Sequence, residues 1–258
     1  MHETGVGITD TGRVRDHNED FIQVSNGPIG DLPNLYIVSD GIGGHQAGEV
    51  ASQKCVEFFC QYIKDNARGA DEQDPNMLET MAAAVYYANA RIFAMSLKDE
   101  SLRGMGATFS ACAVANDQIL VVHVGDSRIY WADAAALRQL TIDHTLVQSM
   151  VDAGEITKAE AADHPQRNII MRAVGTDEFV LADHFAVPVT RPGTLLLCSD
   201  GLTDMLRDEH IYSVLSDAGA VSDKARQLVQ NANDQGGADN ISVVLVPVRR
   251  VDGSEVAL

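Results

Sequence analysis

The chain has 258 residues, 45% of them apolar, which is enough for a packed core. Its 37 acidic and 19 basic side chains give a formal net charge of −18, which disfavours a nucleic acid or an anionic membrane as a partner. No segment approaches the ~18 apolar residues of a membrane span, and the N-terminus lacks a secretion signal. We therefore expect a monomeric, cytoplasmic, single-domain protein over residues 1–248, with four free cysteines and a polar tail at 249–258.

The N-terminal part of the chain predicts three strands and then two helices. Apolar runs of strand length occur at 3–12, 20–25 and 35–39. Apolar residues then recur with helical spacing at about 46–65 and again at 77–97. The polar segment between these helices, at 68–75, is expected to be a loop, and Pro75 suits the start of the second helix.

The C-terminal part of the chain is dominated by strands. Strands are predicted at 106–115, 118–124, 127–132, 137–141, 179–187, 194–199 and 241–248, and helical stretches at 201–216 and 221–234. A polar, helical excursion from the sheet is expected at 142–178. Strands such as 118–124 are apolar on both faces, so both faces need cover. With so many hairpin-spaced strands, we expect an α+β fold, a four-layer α-β-β-α sandwich of two mainly antiparallel sheets flanked by helices.

Five acidic pairs lie at the ends of predicted strands. They are Glu19-Asp20, Asp40-Gly41, Gly125-Asp126, Asp200-Gly201 and Asp239-Asn240. Each pair alone is an ordinary turn sequence. Five together, two of them within the tripeptide Ser-Asp-Gly, favour a site for a hard cation such as Mg²⁺ or Mn²⁺. Two such ions ~3.5–4 Å apart would activate a shared water molecule for displacement at phosphorus.

Arg15 precedes Glu19 by four residues and has two interpretations. Its planar guanidinium suits a doubly charged phosphate, whose oxygens it can bind in pairs. Alternatively, Arg15 is a surface side chain that pairs with Asp10 or Asp16.

Longer motifs make the chain similar to a known family. They are RDHNED at 15–20, VSDGIGGHQAGEVAS at 38–52, GATFSACAV at 106–114, VVHVGDSRIY at 121–130, DHTLVQSMVDAGEIT at 143–157, HPQRNIIMRAVGTD at 164–177, CSDGL at 198–202 and GGADNISVVLV at 236–246. In this order, over about residues 3–248, they resemble the PP2C-type (PPM) metal-dependent serine/threonine protein phosphatases, above all the small stand-alone bacterial members.

The resemblance implies a β-sandwich with metals at one end and a role for each site residue. Asp40 would bridge two catalytic ions, Mn²⁺ or Mg²⁺. The Gly41 carbonyl and Glu19 or Asp20 would support one ion, and Asp200 and Asp239 would hold the other. Asn240 would orient Asp239, and Arg15 would bind the phosphoryl group. Asp126 and Asp200 would hold a third, weaker ion. Residues 142–178 would form a flap beside the active site.

The implied activity is hydrolysis of phosphoserine and phosphothreonine on proteins by direct attack of a water or hydroxide bridging two divalent metals. The enzyme would counteract a serine/threonine protein kinase, itself a phosphorylated partner. Two alternatives are a non-catalytic member of the fold, which should have lost metal carboxylates, and an enzyme that acts on a phosphorylated regulator of a partner-switching system.

One residue departs from the pattern of many eukaryotic relatives. Ile42 stands where they have a histidine proposed as the general acid. The leaving alkoxide would then take its proton from water, a metal-bound water or another side chain. His45 is expected to make a structural hydrogen bond.

Overall fold

The computed structural model describes residues 4–43, 46–68 and 76–249, in which two β-sheets pack between layers of helices. The strands are β1 (Val6–Asp10), β2 (Asp20–Ser25), β3 (Leu35–Ile42), β4 (Gly106–Ala107), β5 (Phe109–Ala115), β6 (Gln118–Val124), β7 (Arg128–Ala132), β8 (Leu137–Gln139), β9 (Asp183–Pro188), β10 (Gly193–Cys198) and β11 (Ile241–Val248). The α-helices are α1 (Gln46–Asp65), α2 (Met77–Lys98), α3 (Leu146–Asp152), α4 (Lys158–Ala162), α5 (Asp200–Thr203), α6 (Asp208–Ser216) and α7 (Val221–Asp234).

The two sheets draw their strands from both ends of the chain. The first has the order β1-β11-β10-β7-β8, and the second has the order β2-β3-β5-β6-β9 with β4 beside β3. The strand pairs are antiparallel in both sheets. Helices α1 and α2 cover the second sheet, whereas α6 and α7 cover the first. The predicted α-β-β-α sandwich is confirmed.

Alternation of side chains along the strands explains why central strands are apolar on both faces. In β3, Ile37 packs with α1 and α2, while the next residue, Val38, faces the other sheet. In the helical layer, the ring centroids of Phe59 and Phe109 are 4.8 Å apart. Burial of each such side chain contributes about 1.5–3 kcal/mol to stability.

Strand β3 continues three residues beyond its predicted end at Ser39. Asp40 and Gly41 therefore lie inside a strand, and the predicted turn at this position is wrong. Strand β4 is the reason, because it pairs Gly41 with Ala107 and Ile42 with Gly106.

Other predicted elements are shorter or divided. The strand expected at 106–115 is interrupted at Thr108, and the strand expected at 179–187 begins at Asp183. The helical stretch at 201–216 is divided into α5 and α6. By contrast, the strand at 20–25, the helices at 46–65 and 221–234 and the strand at 241–248 are confirmed with their bounds.

The polar segment at 142–178 contains two short helices, each started by a threonine. The Thr145 side chain accepts a hydrogen bond from the Gln148 backbone N–H, and Thr157 forms a reciprocal capping box with Glu160. The bounds of the domain and of a flap at 142–178 stay predictions.

Several expectations concern other parts of the chain. His45, Pro75 and the tail from residue 250 lie outside the described residues. The four cysteines are free thiols. In the described part of the chain, no helix is long and apolar enough to cross a membrane.

Candidate metal centre

Five aspartates lie where strands of both sheets meet one end of the sandwich. Asp20 begins β2 and stands opposite Asp40 of β3 in the antiparallel register. Asp126 lies in the turn between β6 and β7, Asp200 directly follows β10, and Asp239 lies just before β11. Because the end of one antiparallel strand adjoins the start of its neighbour, this topology brings the five residues together. We refer to them as the acidic cluster.

Burial, and after it nearby negative charges, raise the pKa values of four carboxyls of the cluster, those of Asp20, Asp40, Asp126 and Asp200. Burial is the main reason that the pKa of Asp40 lies well above its usual range, and negative charges on the other four aspartates raise it further. Burial likewise raises the pKa of Asp20 to about 6 and that of Asp126 to about 7. The pKa of Asp200 rises for the same reason, with Asp126 as the next cause. A nearby cation would relieve this repulsion.

The hydrogen bonds of the cluster leave acceptors available for such a cation. In the described part of the chain, four buried side-chain oxygens have no hydrogen-bond partner, and three of them are Oδ1 atoms of Asp20, Asp126 and Asp200. An unpartnered buried carboxylate oxygen is costly. These oxygens fit hard cations such as Mg²⁺ and Mn²⁺, which prefer oxygen ligands.

The cluster is not a closed ligand shell. Among the residues that the structure describes, no three His, Cys, Asp or Glu side chains are placed closely enough to hold an ion by themselves. An open arrangement nevertheless suits Mg²⁺, which usually keeps several water molecules and takes one or two carboxylates. The unpartnered carboxylate oxygens still require a partner, which a hydrated cation can supply.

Glu19 and the Gly41 carbonyl converge beside helix α1. A Cβ atom built on Gly48 would lie 2.3 Å from Glu19 Oε2 and 3.0 Å from the Gly41 carbonyl oxygen. A Cβ atom on Gly41 would lie 2.1 Å from the Gly48 carbonyl oxygen. Glycine at both positions leaves room for this close approach of β3 and α1. It places two predicted metal-binding oxygens side by side.

Arg15 brings a positive charge to the acidic cluster. Its Nη2 donates a hydrogen bond of 2.7 Å to Asp239 Oδ2, and about half of its side chain is exposed. The hydrogen bond from Arg15 to Asp239 is the largest cause of its raised pKa, to which the charges of Glu19 and Asp40 also contribute. The surface alternative, in which Arg15 pairs with Asp10 or Asp16, is not the arrangement found.

Asn240 contacts Asp239 through its backbone rather than its side chain. The Asn240 backbone N–H donates to Asp239 Oδ1 over 2.8 Å. The Asn240 amide instead holds the preceding loop, because it accepts from the Glu19 N–H and donates to the carbonyls of Thr11 and His17. Asn240 therefore fixes the loop that carries Arg15 and Glu19.

Three hydroxyl residues that support the cluster were not predicted. Ser199 Oγ donates to Asp20 Oδ2 over 2.7 Å and so connects the two sheets. Thr108 accepts from the Asp40 N–H over 2.9 Å, and Ser39 donates to the Thr108 carbonyl. The repeated Ser-Asp-Gly tripeptide was the available signal for the two serines. No local pattern marked Thr108.

The fold and the acidic cluster suit a protein that binds divalent cations at one end of an α-β-β-α sandwich. Comparison identifies its family: the model for protein phosphatase 2C matches residues 12–245, so the chain belongs to that family. The resemblance inferred from the sequence motifs is thereby confirmed. Members of the family are metal-dependent.

Relatives and solved structures match nearly the whole chain. Serine/threonine phosphatase stp of Listeria monocytogenes is 40% identical over 243 residues, which cover 92% of this chain and 93% of that protein. Serine/threonine phosphatase Stp1 from Staphylococcus aureus superposes with a TM-score of 0.85 at 33% identity, covering 97% and 96% of the two chains. The catalytic domain of the phosphatase PstP, solved with two manganese ions, has a TM-score of 0.81 at 35% identity, with 95% and 98% covered.

Proposed function

We propose that this protein hydrolyses phosphoserine and phosphothreonine on proteins and that the acidic cluster and Arg15 carry the reaction. The observation that carries the proposal is the set of three buried, unpartnered carboxylate oxygens beside an arginine. Membership of the protein phosphatase 2C family supports the same substrate class.

Each residue of the cluster has a proposed position in the site. Asp40 would hold two ions, one of them together with the Gly41 carbonyl and Glu19 or Asp20, and the other together with Asp200 and Asp239. Asp126 and Asp200 would hold a third, weaker ion. Bound Mn²⁺ or Mg²⁺ would supply positive charge and a water of lowered pKa for attack at phosphorus.

Arg15 binds the phosphoryl group in this proposal. Its half-exposed guanidinium can exchange one Asp239 oxygen for two phosphoryl oxygens. Ile42, at the end of β3, has no proton to donate. The leaving serine or threonine oxygen therefore takes its proton from water or from another side chain.

The proposal extends to partners and location. Phosphorylated proteins are the substrates, and a cognate serine/threonine kinase, which the enzyme counteracts, is among them. The net charge of −18 disfavours a nucleic acid or an anionic membrane surface as a partner. We place the protein in the cytoplasm as a monomer.

Phosphate release from a phosphothreonine peptide tests the proposed activity. We expect release to require Mn²⁺ or Mg²⁺, to stop with EDTA and to fall at least about a hundredfold in Asp40→Asn and Asp239→Asn, because loss of residues that merely support metal ligands already costs about 10–100-fold in metal affinity or activity. Asp117→Asn is the control, since Asp117 is exposed at the other end of β6. Activity that survives EDTA or persists in both cluster variants would contradict the proposal.

A further inference from the structure

The turn that carries Asp126 is held from both sides by two consecutive residues, Asp143 and His144. The Gly125 N–H donates to His144 Nδ1 over 3.1 Å, and the His144 N–H donates to the Gly125 carbonyl over 2.8 Å. On the other side, Arg128 Nε and Nη2 donate to Asp143 Oδ2 over 2.9 Å and 2.6 Å. We call Asp143 and His144 the clamp.

The hydrogen bonds of His144 define its tautomer. Because Nδ1 accepts from a backbone N–H, the ring proton lies on Nε2, which is 3.3 Å from Asp183 Oδ2. Arg172 Nη1 donates to Asp183 Oδ1 over 3.3 Å and lies 3.2 Å from His144 Nε2, to which it cannot donate while that nitrogen carries the ring proton. His144 is nearly buried, and burial is the main cause of its lowered pKa, so the neutral imidazole is the form present at neutral pH.

His144 also joins both ends of the segment 145–171. This segment leaves the sheet directly after His144 and returns at Met171, whose N–H donates to the His144 carbonyl over 2.7 Å. Thr145 and Ile170 form a bridge next to this contact. His144 is therefore the residue at which the segment 145–171 and the turn of Gly125 meet.

Besides the clamp, the Asp126 carboxylate has a hydrogen bond to its own backbone N–H and the nearby charge of Arg128 to fix it. The residue is 6% exposed, and its Oδ1 has no hydrogen-bond partner among the described residues. Gly125, with φ +106, packs so closely that an added Cβ would lie 2.7 Å from the Thr108 side chain. The direction of the Asp126 side chain thus follows the backbone of the turn, which the clamp holds.

We infer that His144 is a positioning residue for Asp126: through Nδ1 it holds the Gly125 backbone and so supports cation binding at Asp126. This inference rests on the proposed role of Asp126 as a ligand of the weaker ion. It assigns to His144 no contact with substrate or metal.

Two substitutions test the roles of the two ring nitrogens of His144 separately. In His144→Asn the side-chain oxygen occupies the position of Nδ1, so the bond from Gly125 is retained and the contact with Asp183 is lost. In His144→Gln the amide reaches Asp183 but leaves the Gly125 N–H without its acceptor. His210→Gln, at an exposed position of α6, is the matched control.

Calorimetric Mn²⁺ titration and hydrogen exchange of the Gly125 amide are the measurements. For His144→Gln we expect the Kd of the most weakly bound Mn²⁺ ion to rise at least about tenfold, as in Asp126→Asn. The Kd values of the more tightly bound ions should not change, and the Gly125 amide should exchange its hydrogen faster. His144→Asn and His210→Gln should stay within about twofold of wild type in both measurements.

The possible failures are distinguishable. If Asp126→Asn loses the weakest ion while folded His144→Gln binds it like wild type, the clamp has no such role. If His144→Gln does not fold, loss of that ion in His144→Asn has the same meaning, since this variant retains the acceptor. If Asp126→Asn itself binds every ion like wild type, the inference fails with the Asp126 site, whereas Mn²⁺-dependent phosphatase activity would still support the proposed function.

Discussion

Arg15 can bind either of two partners, a carboxylate of the acidic cluster or a phosphoryl group. Its hydrogen bond to Asp239 neutralises one proposed metal ligand. The Asp239 side chain is one-third exposed, so the pair is open to solvent and is worth little in stability. Replacement of Asp239 by a phosphate as the partner of Arg15 therefore costs little free energy.

Arg15→Ala should act on substrate rather than on metal. We expect KM to rise about ten- to a hundredfold, since a hydrogen bond to a charged group is worth about 1.5–3 kcal/mol. Mn²⁺ affinity should not fall, because Asp239 loses a competing cation. Steady-state kinetics and Mn²⁺ titration measure the two effects.

Arg15→Lys should lie between wild type and Arg15→Ala, because lysine keeps the charge but not the planar fork. Arg13→Ala, at a nearby exposed position, is the control. An unchanged KM in Arg15→Ala would remove Arg15 from phosphate binding.

The acidic residues of the site were predictable from the sequence, whereas most of their supporting contacts were not. Each aspartate lies at or near the end of an apolar run, and the motifs repeat a known family pattern. The bond from Ser199 to Asp20 joins residues 179 positions apart, and local patterns carry no information about such pairs. His144 was likewise visible only as a residue near a motif.

At the scale of elements, the close approach of α1 to β3 determines where Glu19 can lie. Gly41 faces the Gly48 backbone carbonyl, whereas Gly48 faces the end of the flexible Glu19 side chain. Substitution by alanine should therefore destabilise the protein at Gly41 but not at Gly48.

Gly48→Ala should fold normally but bind Mn²⁺ more weakly. Gly48 is the third residue of α1, so alanine should contribute only part of the about 0.8–1.0 kcal/mol by which it stabilises a helix interior relative to glycine, and we expect an equal or slightly higher melting temperature without metal. The new methyl group displaces the Glu19 carboxylate, which should raise the Kd for Mn²⁺ about tenfold. Thermal unfolding with EDTA and Mn²⁺ titration check this prediction.

Gly41→Ala is the contrasting variant. Its methyl group meets backbone atoms, which should destabilise the protein by more than about 2 kcal/mol. Gly27→Ala, with no atom within 4 Å of the added Cβ, should match wild type. Full Mn²⁺ affinity in Gly48→Ala would exclude Glu19 from the metal site.

The bounds of an element agreed with the prediction where its buried residues follow the periodicity of the sequence. They differed from the prediction where a strand from a distant part of the chain pairs with the element. Helix α7 has the predicted bounds because its buried residues recur at helical spacing. Strand β3 is longer than predicted because β4, more than 60 residues later in the chain, pairs with its last two residues. Such pairing is not encoded in the residues of β3.

At the scale of the whole molecule, the acidic cluster makes stability depend on pH. The pKa values of Asp20 and Asp126 rise to about 6 and about 7, and those of Asp40 and Asp200 also rise. The folded protein therefore binds protons at a pH where the unfolded chain, with ordinary aspartate pKa values, does not. Without metal, stability falls as pH rises through these values.

The metal-free protein should melt at a higher temperature at pH 6.5 than at pH 8. Each proton difference changes stability by about 1.4 kcal/mol per pH unit, which corresponds to about 2–6 °C for a chain of this size. The comparison stops at pH 6.5, because below it the buried His123, whose pKa is lowered to about 4, opposes the trend.

Calorimetric melting in EDTA is the measurement, with Asp126→Asn as the reference for the contribution of one carboxylate. Saturating Mn²⁺ should reverse the trend, since the cation binds the ionised carboxylates. A melting temperature that is constant or higher at pH 8 without metal would show that the cluster is not repulsive.

Pairing of β1 with β11 has a consequence for synthesis of the protein. The first strand finds its partner only at residues 241–248, and the Asn240 amide that holds the loop of Arg15 and Glu19 is made just before it. A nascent chain that ends before residue 239 has neither Asp239 nor the Asn240 side chain that anchors the loop of Arg15. The acidic cluster is therefore completed only after residues 239–248 have been synthesised and β11 can pair with β1.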